Sequence, residues 1–565
     1  MTRRRQEERS LAVRGLLIAS LLLVLGGATP GQPGQNPRFF PDDPIWEDPD
    51  RQVSIAQPTS RELSKTVDLI QKTFAPPVSG NVPAVNVNTL GEVPDSSWFE
   101  NRMSRRVMSI DEIVRGPDRG DGPDHSVPWR IIQAKVEGTT PGFMIRDGRG
   151  DVYLIKIDPM HFPGLATGAE VIGTKFYHAF GYHVPENYLT SWEPDFYTIE
   201  PDTEVIWPDG HHAILGPRYV TDILREAGKN EDGSIPVVAS KLLPGVPIGP
   251  FDFQGTRRDD PNDIFPHEDR RELRGLRIFD SWLNHNDSDS VNSLDMFYTD
   301  DNGASYVMHH RLDFGTVLGS GASTLKSHRA GNEYYFDFAQ QFKAGYTFGF
   351  WTKPWIKVRY PDYPEVGRFE SEFFHPPDWK ADYPNPAFDK MTLPDALWAT
   401  RTVMRFSDEA IRAIVGTANM RDSAAEAYLV AALIGRRDKI VDYWLSRINP
   451  IDGFRIEGTG DRRALVFTNL GADAGLADAA DCSYGYAWHT FGNETGVVQA
   501  IDRPALSPAP RILVPRTDAD YLLVKLSSSC PGQPAWTSEV DVYVRMNSMQ
   551  VVGVERHEPQ PGSSR

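Results

Sequence analysis

Within His285-Asn286-Asp287-Ser288-Asp289-Ser290-Val291-Asn292, an Asp precedes an Asn by five residues, and Asp313-Phe314-Gly315 follows downstream. Residues of these types at this spacing could move a phosphoryl group. Asp287 would orient a hydroxyl nucleophile, while Asn292 and Asp313 would hold a divalent cation against nucleotide phosphates. The same chemistry needs a side-chain cation on the phosphates and a carboxylate that fixes this cation. Lys156 closes the run Tyr153-Leu154-Ile155-Lys156, and Glu170 follows on the next helical pattern, able to reach back to it. Gly138 and Gly142 bracket a turn upstream, where a phosphate-covering loop would lie. Each residue alone has a bland alternative. Lys156 would be a solvated strand end, Glu170 an ordinary first-turn carboxylate, Asp287-Ser288-Asp289-Ser290 a solvent turn or calcium loop, and Asp313-Phe314-Gly315 a strand terminator. Their order along the chain carries the reading.

The elements that must position them follow from periodicity and turn signals. Trp129–Glu137, Phe143–Arg146 and Val152–Ile157 read as strands separated by the turns Gly138–Gly142 and Asp147–Gly150. Ala169–Phe180 reads as a helix stopped by Gly181 and Pro185. Leu273–Leu283 is apolar at helical spacing and leads into the Asp287 loop, and Ser293–Tyr298 and Ser305–Met308 read as a hairpin ahead of Asp313. Val237–Ser240 is a candidate strand or linker at the nucleotide base. Residues 321–395 are loop-rich and aromatic, and the Trp- and Tyr-rich part, 334–375, either packs or presents aromatic faces to an acceptor. Asp408–Val415 and Ser423–Leu445 read as helices, the second capped by Asp422 or Ser423. Beyond Pro450, short apolar runs alternate with turns in the manner of a β-sandwich. Upstream, Arg61–Phe74 has helical spacing after Thr59-Ser60, and residues 75–125 read as an extended arm.

Two stretches carry a family resemblance. Ala169-Glu170-Val171-Ile172-Gly173-Thr174-Lys175-Phe176, continuing to Gly181-Tyr182-His183-Val184-Pro185, is similar to the Glu-bearing helix that ends at a G-x-x-V-P turn in HipA toxin kinases and Golgi casein kinases. Asn286-Asp287 with Asn292 is similar to the N-x-D-R-H-x-x-N type of loop. About residues 129–445 thus resemble the atypical branch of the protein kinase-like superfamily, which also includes the phosphoinositide 3/4-kinases. The resemblance implies an α+β fold with a two-lobed kinase-like domain at 126–450. A small β-rich N-lobe would span about 126–240 and a mainly helical C-lobe about 241–450. Residues 1–28 would be a signal peptide, 29–125 a linker and arm with one helix, 451–555 a β-sandwich-like domain and 556–565 a tail. The implied cofactors are Mg²⁺ or Mn²⁺, with ATP or another nucleotide as donor. The chain departs from the pattern at Ser288 and Asp289, where the atypical families carry Arg-His or a similar pair. Asn286 stands where ordinary kinases carry the Arg of H-R-D, and the Gly138–Gly142 turn lacks G-x-G-x-x-G spacing.

Composition bounds the function. The chain has 565 residues, 40% hydrophobic and 11% aromatic, enough for two or three cored domains, and a net charge of −18 that argues against a nucleic-acid partner. Arg3, Arg4, Arg5, Arg9 and Arg14 precede the apolar run Gly15–Leu25 and the small residues Gly26-Gly27-Ala28, the layout of a cleaved export signal rather than an anchor. The expected location is therefore periplasmic or extracellular, where Cys482 and Cys530 either pair or remain buried thiols. ATP is scarce there, so the donor would be another nucleotide, a nucleotidyl group would move instead, or ATP would be met transiently. The acceptor would be a protein, glycan or lipid. Two other classes compete: a catalytically silent kinase-fold protein that binds a cell-envelope partner through its C-terminal β-domain, and a metal-dependent hydrolase built on His285, His309, His310 and Asp287. Because His309 and His310 are adjacent, a strand would turn them to opposite faces, against a shared ion.

Overall fold

The computed structural model describes residues 36–76, 82–135, 140–207, 211–346 and 353–559. The expected signal peptide (1–28), Gly138 of the expected phosphate loop and the end of the tail (560–565) lie outside these residues. The chain is a mixed α+β protein. No helix among the described residues is long and apolar enough to cross a membrane.

Alternation of side chains builds the strand that carries Lys156. In Val152–Ile157 the residues Tyr153, Ile155 and Ile157 enter an apolar cluster with Trp129, Ile131, Phe143, Ile145 and Trp192, so Lys156 projects from the other face. The strand is third in a six-stranded sheet of spatial order Asn187–Trp192, Ile235–Lys241, Val152–Ile157, Gly142–Arg146, Trp129–Lys135 and Tyr197–Ile199. The sheet is antiparallel except for its last pair. Helix Pro217–Arg225 closes the apolar face with Val220 and Leu224. Helix Leu165–Phe180 packs at the other side, against Val152–Ile157, Asn187–Trp192 and Ile235–Lys241. Val237–Ser240, read from the sequence as strand or linker, lies within the strand Ile235–Lys241 beside Lys156.

The Glu170 helix begins a turn before the expected Ala169. Asp158 supplies the reason, because its carboxylate accepts the backbone N–H groups of Gly164 (2.9 Å), Ala166 (2.9 Å) and Thr167 (3.2 Å), donors that a helix start leaves without partners. Glu170 therefore lies in the second turn and not at the helix start. A second core gathers Phe176 and Phe180 with Phe279, Trp282 and Phe406 from the helical half of the chain, where Arg271–Leu283, Leu393–Met404, Asp408–Gly416 and Ser423–Leu445 pack together. The last of these has the expected bounds, and Asp422 caps it by accepting the Ala424 N–H (2.8 Å).

Beyond Pro450 a three-stranded sheet (Ile451–Glu457, Ala464–Asn469, Arg511–Leu513) shares one core with a six-stranded sheet centred on Ser483–Phe491, Tyr521–Ser529 and Val540–Arg545. Ile451, Leu465, Phe467 and Ile512 meet Trp488, Leu522, Val524 and Val542 there. Cys482 and Cys530 form a disulfide across a sequence separation of 48, just outside the paired residues Ser483 and Ser529. Its reduction is expected to lower stability by about 2–4 kcal/mol, mainly by freeing the unfolded chain, which a lower urea midpoint with and without dithiothreitol would register.

The N-terminal arm threads over everything else. Phe39 packs on Phe491, Tyr521 and Tyr543 of the six-stranded C-terminal sheet, the Ile55 N–H meets Ser305 O (2.8 Å), and the Arg61 N–H meets Ile248 O (2.9 Å). Gly249, at φ 89°, makes this passage possible, since a Cβ there would lie 1.9 Å from Arg61 O. Because Arg61 pairs in this extended way, the expected helix 61–74 starts only at Lys65 and runs to Phe74. The arm also corrects the expectation of a single helix. Ile110–Arg115 is a second one, held by a capping box in which Ser109 accepts the Glu112 N–H while the Glu112 carboxylate accepts the Ser109 N–H.

Candidate active site

Lys156 Nζ donates to Glu170 Oε2 at 2.7 Å and to Asp313 Oδ1 at 2.8 Å. Strand, helix and the Asp313 loop thus meet at one ammonium group. The two carboxylates differ in setting: the Glu170 side chain is 1% exposed, the Asp313 side chain 48%. Burial pulls the Lys156 ammonium toward its neutral form, but Asp313 and Glu170 outweigh it and hold its pKa above the usual range. Lys156 in turn depresses the Asp313 pKa. Glu170 is saturated: its Oε2 also accepts the Gly315 N–H (2.8 Å), and its Oε1 accepts the Phe314 N–H (3.2 Å) and Asn187 Nδ2 (3.2 Å).

Asp313 has φ 59° and ψ 61°, a left-handed conformation that Asp tolerates better than most residues. The turn faces Asp313 toward Lys156 and drives Phe314 into the core, stacked on Tyr177 with ring centroids 4.6 Å apart. Gly173 makes room for that ring, since a Cβ there would fall 2.6 Å from Phe314 Cβ. Gly142 is paired with Lys156 across neighbouring strands, and a Cβ at Gly142 would meet Ile155 O at 1.9 Å. Gly142 is thus the first residue of a strand.

The Asp287 loop leaves the end of helix Arg271–Leu283. Asn292 Nδ2 donates to Asp287 O (2.6 Å), and the Leu312 N–H donates to Asn292 O (3.0 Å), so Asn292 joins the Asp287 loop to the chain just before Asp313. This hydrogen bond uses the Asn292 amide nitrogen and leaves its oxygen as the atom for a cation. An amide oxygen and a half-exposed carboxylate are hard donors, the type that suits Mg²⁺ or Mn²⁺. Lys156, Glu170, Asp313, Asn292 and Asp287 therefore form one connected set.

Sequence reading missed the cations on the Asp287 side. Lys65, the first residue of the arm helix, donates to Asp287 Oδ1 and lies 2.9 Å from Asp289 Oδ2. Lys326 donates to Asn286 Oδ1 and feels both Asp287 and Asp313. Burial lowers the Lys326 pKa. Asp289 is buried, and burial together with Asp287 pushes its pKa up to about 6. Ser288 Oγ accepts from Arg311 Nη2 (2.7 Å). The loop itself carries Ser288 and Asp289 and no Lys or Arg, and the arm brings a lysine from far away in the chain. No local pattern marks Lys65, because only the folded arm places it there.

The histidines are engaged elsewhere. His285 Nδ1 lies 2.8 Å from the Tyr177 hydroxyl, His309 Nδ1 lies 2.6 Å from Asp295 Oδ1 beneath Trp98, and His310 Nδ1 faces Met308 O at 3.3 Å. Among the described residues, the grouping with metal-binding reach is Glu539, Asp541 and His557, in the C-terminal sheet region. A catalytic ion shared by these histidines and Asp287 has no support in the geometry. Behind His285, the Tyr177 hydroxyl donates to the buried Asp280, whose pKa burial pushes up to about 7. The folded state then binds a proton that the unfolded chain releases near pH 4, so this group makes stability fall as pH rises from about 4 to about 7. Asp280→Asn is expected to flatten that slope in urea denaturation at about pH 5 and about pH 8.

No family model matches the chain, and no curated protein matches it. Two solved structures of a Golgi casein kinase are similar in part. The one with Mn/ADP bound covers 61% of this chain and 80% of its own at 10% identity and a TM-score of 0.29. The other covers 59% and 73% at 11% identity and a TM-score of 0.27. Likeness at this level argues nothing by itself.

Proposed function

We propose that the chain is a kinase-like phosphotransferase that moves a phosphoryl group from a nucleotide to a hydroxyl acceptor with the help of Mg²⁺ or Mn²⁺. The lobes would be the six-stranded sheet with its helices (about 126–240) and the helical half (about 241–450), followed by a β-sandwich-like domain at 451–555. One observation carries the reading: Lys156 bonded at once to buried Glu170 and half-exposed Asp313, with Asn292 tied to the Asp287 loop beside them. Lys156, fixed by Glu170, would align the donor phosphates. Asp313 and Asn292 would hold the cation, which when bound neutralises phosphate charge. Asp287 would orient the acceptor hydroxyl and take its proton. Lys65 and Lys326 would then face the charge that builds on the transferring group.

Thermal stabilisation by ATP with Mg²⁺ or Mn²⁺, lost in both Lys156→Ala and Asp313→Ala, is the expected result. Incubation with labelled ATP and either cation, followed by mass spectrometry, separates phosphate from AMP adducts and so phosphoryl from nucleotidyl transfer. Absence of any nucleotide-dependent shift would end the enzymatic reading. It would leave a silent kinase-fold binding protein, in which Lys65 and Lys156 serve only to neutralise Asp287 and Asp313.

A further inference from the structure

The two helices beside the Asp287 loop leave apolar faces uncovered. On Lys65–Phe74, Lys65, Asp68 and Lys72 face inward. Lys72 pairs with Asp68 (2.8 Å) and Asp252 (3.0 Å) and donates to Ser290 Oγ (3.0 Å), while the Tyr383 hydroxyl donates to Asp68 (2.7 Å). Val67, Ile70 and Phe74 point the other way. On Phe338–Tyr346, the aromatic residues Phe338, Phe342 and Tyr346 stand four residues apart on one face. All six are 50–79% exposed, and the two faces join where Phe74 and Phe338 approach to 6.0 Å between ring centroids. Single exposed apolar residues are ordinary, but six at helical spacing on two touching helices form a patch of the kind that marks a docking surface.

Charge selects the occupant. From Phe338 to Pro361 the sequence carries four basic residues, Lys343, Lys353, Lys357 and Arg359, and no Asp or Glu, in a chain of net charge −18. Lys343, Lys357 and Arg359 are exposed, as is Ile356 between them. Lys353 is paired with Glu333, which leaves Lys343, Lys357 and Arg359 as the exposed charges, and aromatic residues with such a basic flank fit the boundary between anionic headgroups and acyl chains. We propose that this face seats the protein on an anionic lipid bilayer. In a symmetric dimer a second copy would set this basic flank against itself, which like charge opposes. The acidic remainder of the molecule is screened beyond about 10 Å at ordinary salt, so local attraction at the patch decides the contact. Since Lys65 heads one of the two helices and holds Asp287 on its inner side, seating sets the Asp287 loop about one helix diameter (~10 Å) from the bilayer. If the phosphotransferase reading holds, on which this last step rests, the acceptor hydroxyl belongs to a lipid or a lipid-linked molecule.

The two cysteines are joined to each other, so one introduced cysteine takes a single probe. Full-length Phe342→Cys carrying an environment-sensitive dye is expected to shift its emission to the blue with phosphatidylglycerol vesicles, much less with phosphatidylcholine vesicles, and not at high salt. Adding Lys357→Glu and Arg359→Glu is expected to raise the vesicle concentration needed by about tenfold or more. The same dye at Leu506→Cys, 73% exposed in the C-terminal sheet region, should stay unshifted. Two results overturn the proposal. One is a blue shift at position 342 without vesicles that grows with protein concentration, which assigns the patch to a second copy. The other is no shift at 342 while the protein still sediments with vesicles, which moves the membrane contact to other residues. Stabilisation by ATP with Mg²⁺, read on the same samples, fails only if the phosphotransferase reading fails, so the two failures are distinguishable.

Discussion

Glu170→Ala is expected to cost about 3–5 kcal/mol of stability and to abolish stabilisation by nucleotide. The carboxylate is buried and receives four donors: Lys156 Nζ, Asn187 Nδ2 and the N–H groups of Phe314 and Gly315. Removing it strands a buried ammonium and backbone donors that water cannot reach. Asp313 still holds Lys156, which puts the loss toward the lower end of the range. The functional loss is larger in consequence, because the Asp313–Gly315 turn and Lys156 lose their common anchor and no longer present a fixed pair to phosphates. Glu170→Gln separates the two roles: it retains an acceptor for the backbone N–H groups and removes the charge. Chemical denaturation and nucleotide-dependent thermal shifts on both variants check this. A cost below about 1 kcal/mol in Glu170→Ala would show that the turn finds other acceptors.

Asp287→Asn should behave in the opposite manner. Nucleotide-dependent stabilisation is expected to persist, because Lys156, Asp313 and Asn292 are untouched and Asn292 donates to the backbone carbonyl at 287, which the substitution keeps. Transfer to the acceptor is expected to drop by about 10²–10⁴-fold, the contribution of a positioned proton acceptor. Lys65 keeps its contact with Asp289, so the arm helix stays in place. Mass-spectrometric quantification of product, with binding measured in parallel, reads both quantities. Equal loss of binding and transfer would place Asp287 on the nucleotide and not on the acceptor.

Much of the Lys156 side of the candidate site was legible in the sequence. Lys156 sits next to last in an alternating strand, Glu170 sits on a helix with clear stop signals, and spacing singles out Asp287, Asn292 and Asp313. Local periodicity fixes these elements, while the bond from Lys156 to Asp313, 157 residues away, is made only by the fold. The cations on the Asp287 side were not legible. Lys65 and Lys326 reach the Asp287 loop through the arm and the long segment after Asp313, and no repeat or motif connects them to it. The true start of the Glu170 helix was hidden for a similar reason: Asp158 caps it from before a loop and not from the adjoining residue. In the C-terminal region, the strands Ile451–Glu457, Ser483–Phe491 and Gln550–Arg556 are hard to read from sequence because their apolar alternation is diluted by Gly, Tyr and charged residues.

The path of the arm fixes when the site can exist during synthesis. Phe39 rests on Phe491, Tyr521 and Tyr543, and Arg545 donates to the carbonyl of Pro41 (3.0 Å). The resting place of this part of the arm is therefore made from a sheet far downstream in the chain. Lys65 lies between that tether and its target, Asp287. A nascent chain released before residue 545 could build the sheet and Lys156 cluster but would lack the clasp that secures the arm. Until then the arm is held by its nearer contacts, among them Arg61 on Ile248 and Lys72 on Asp252.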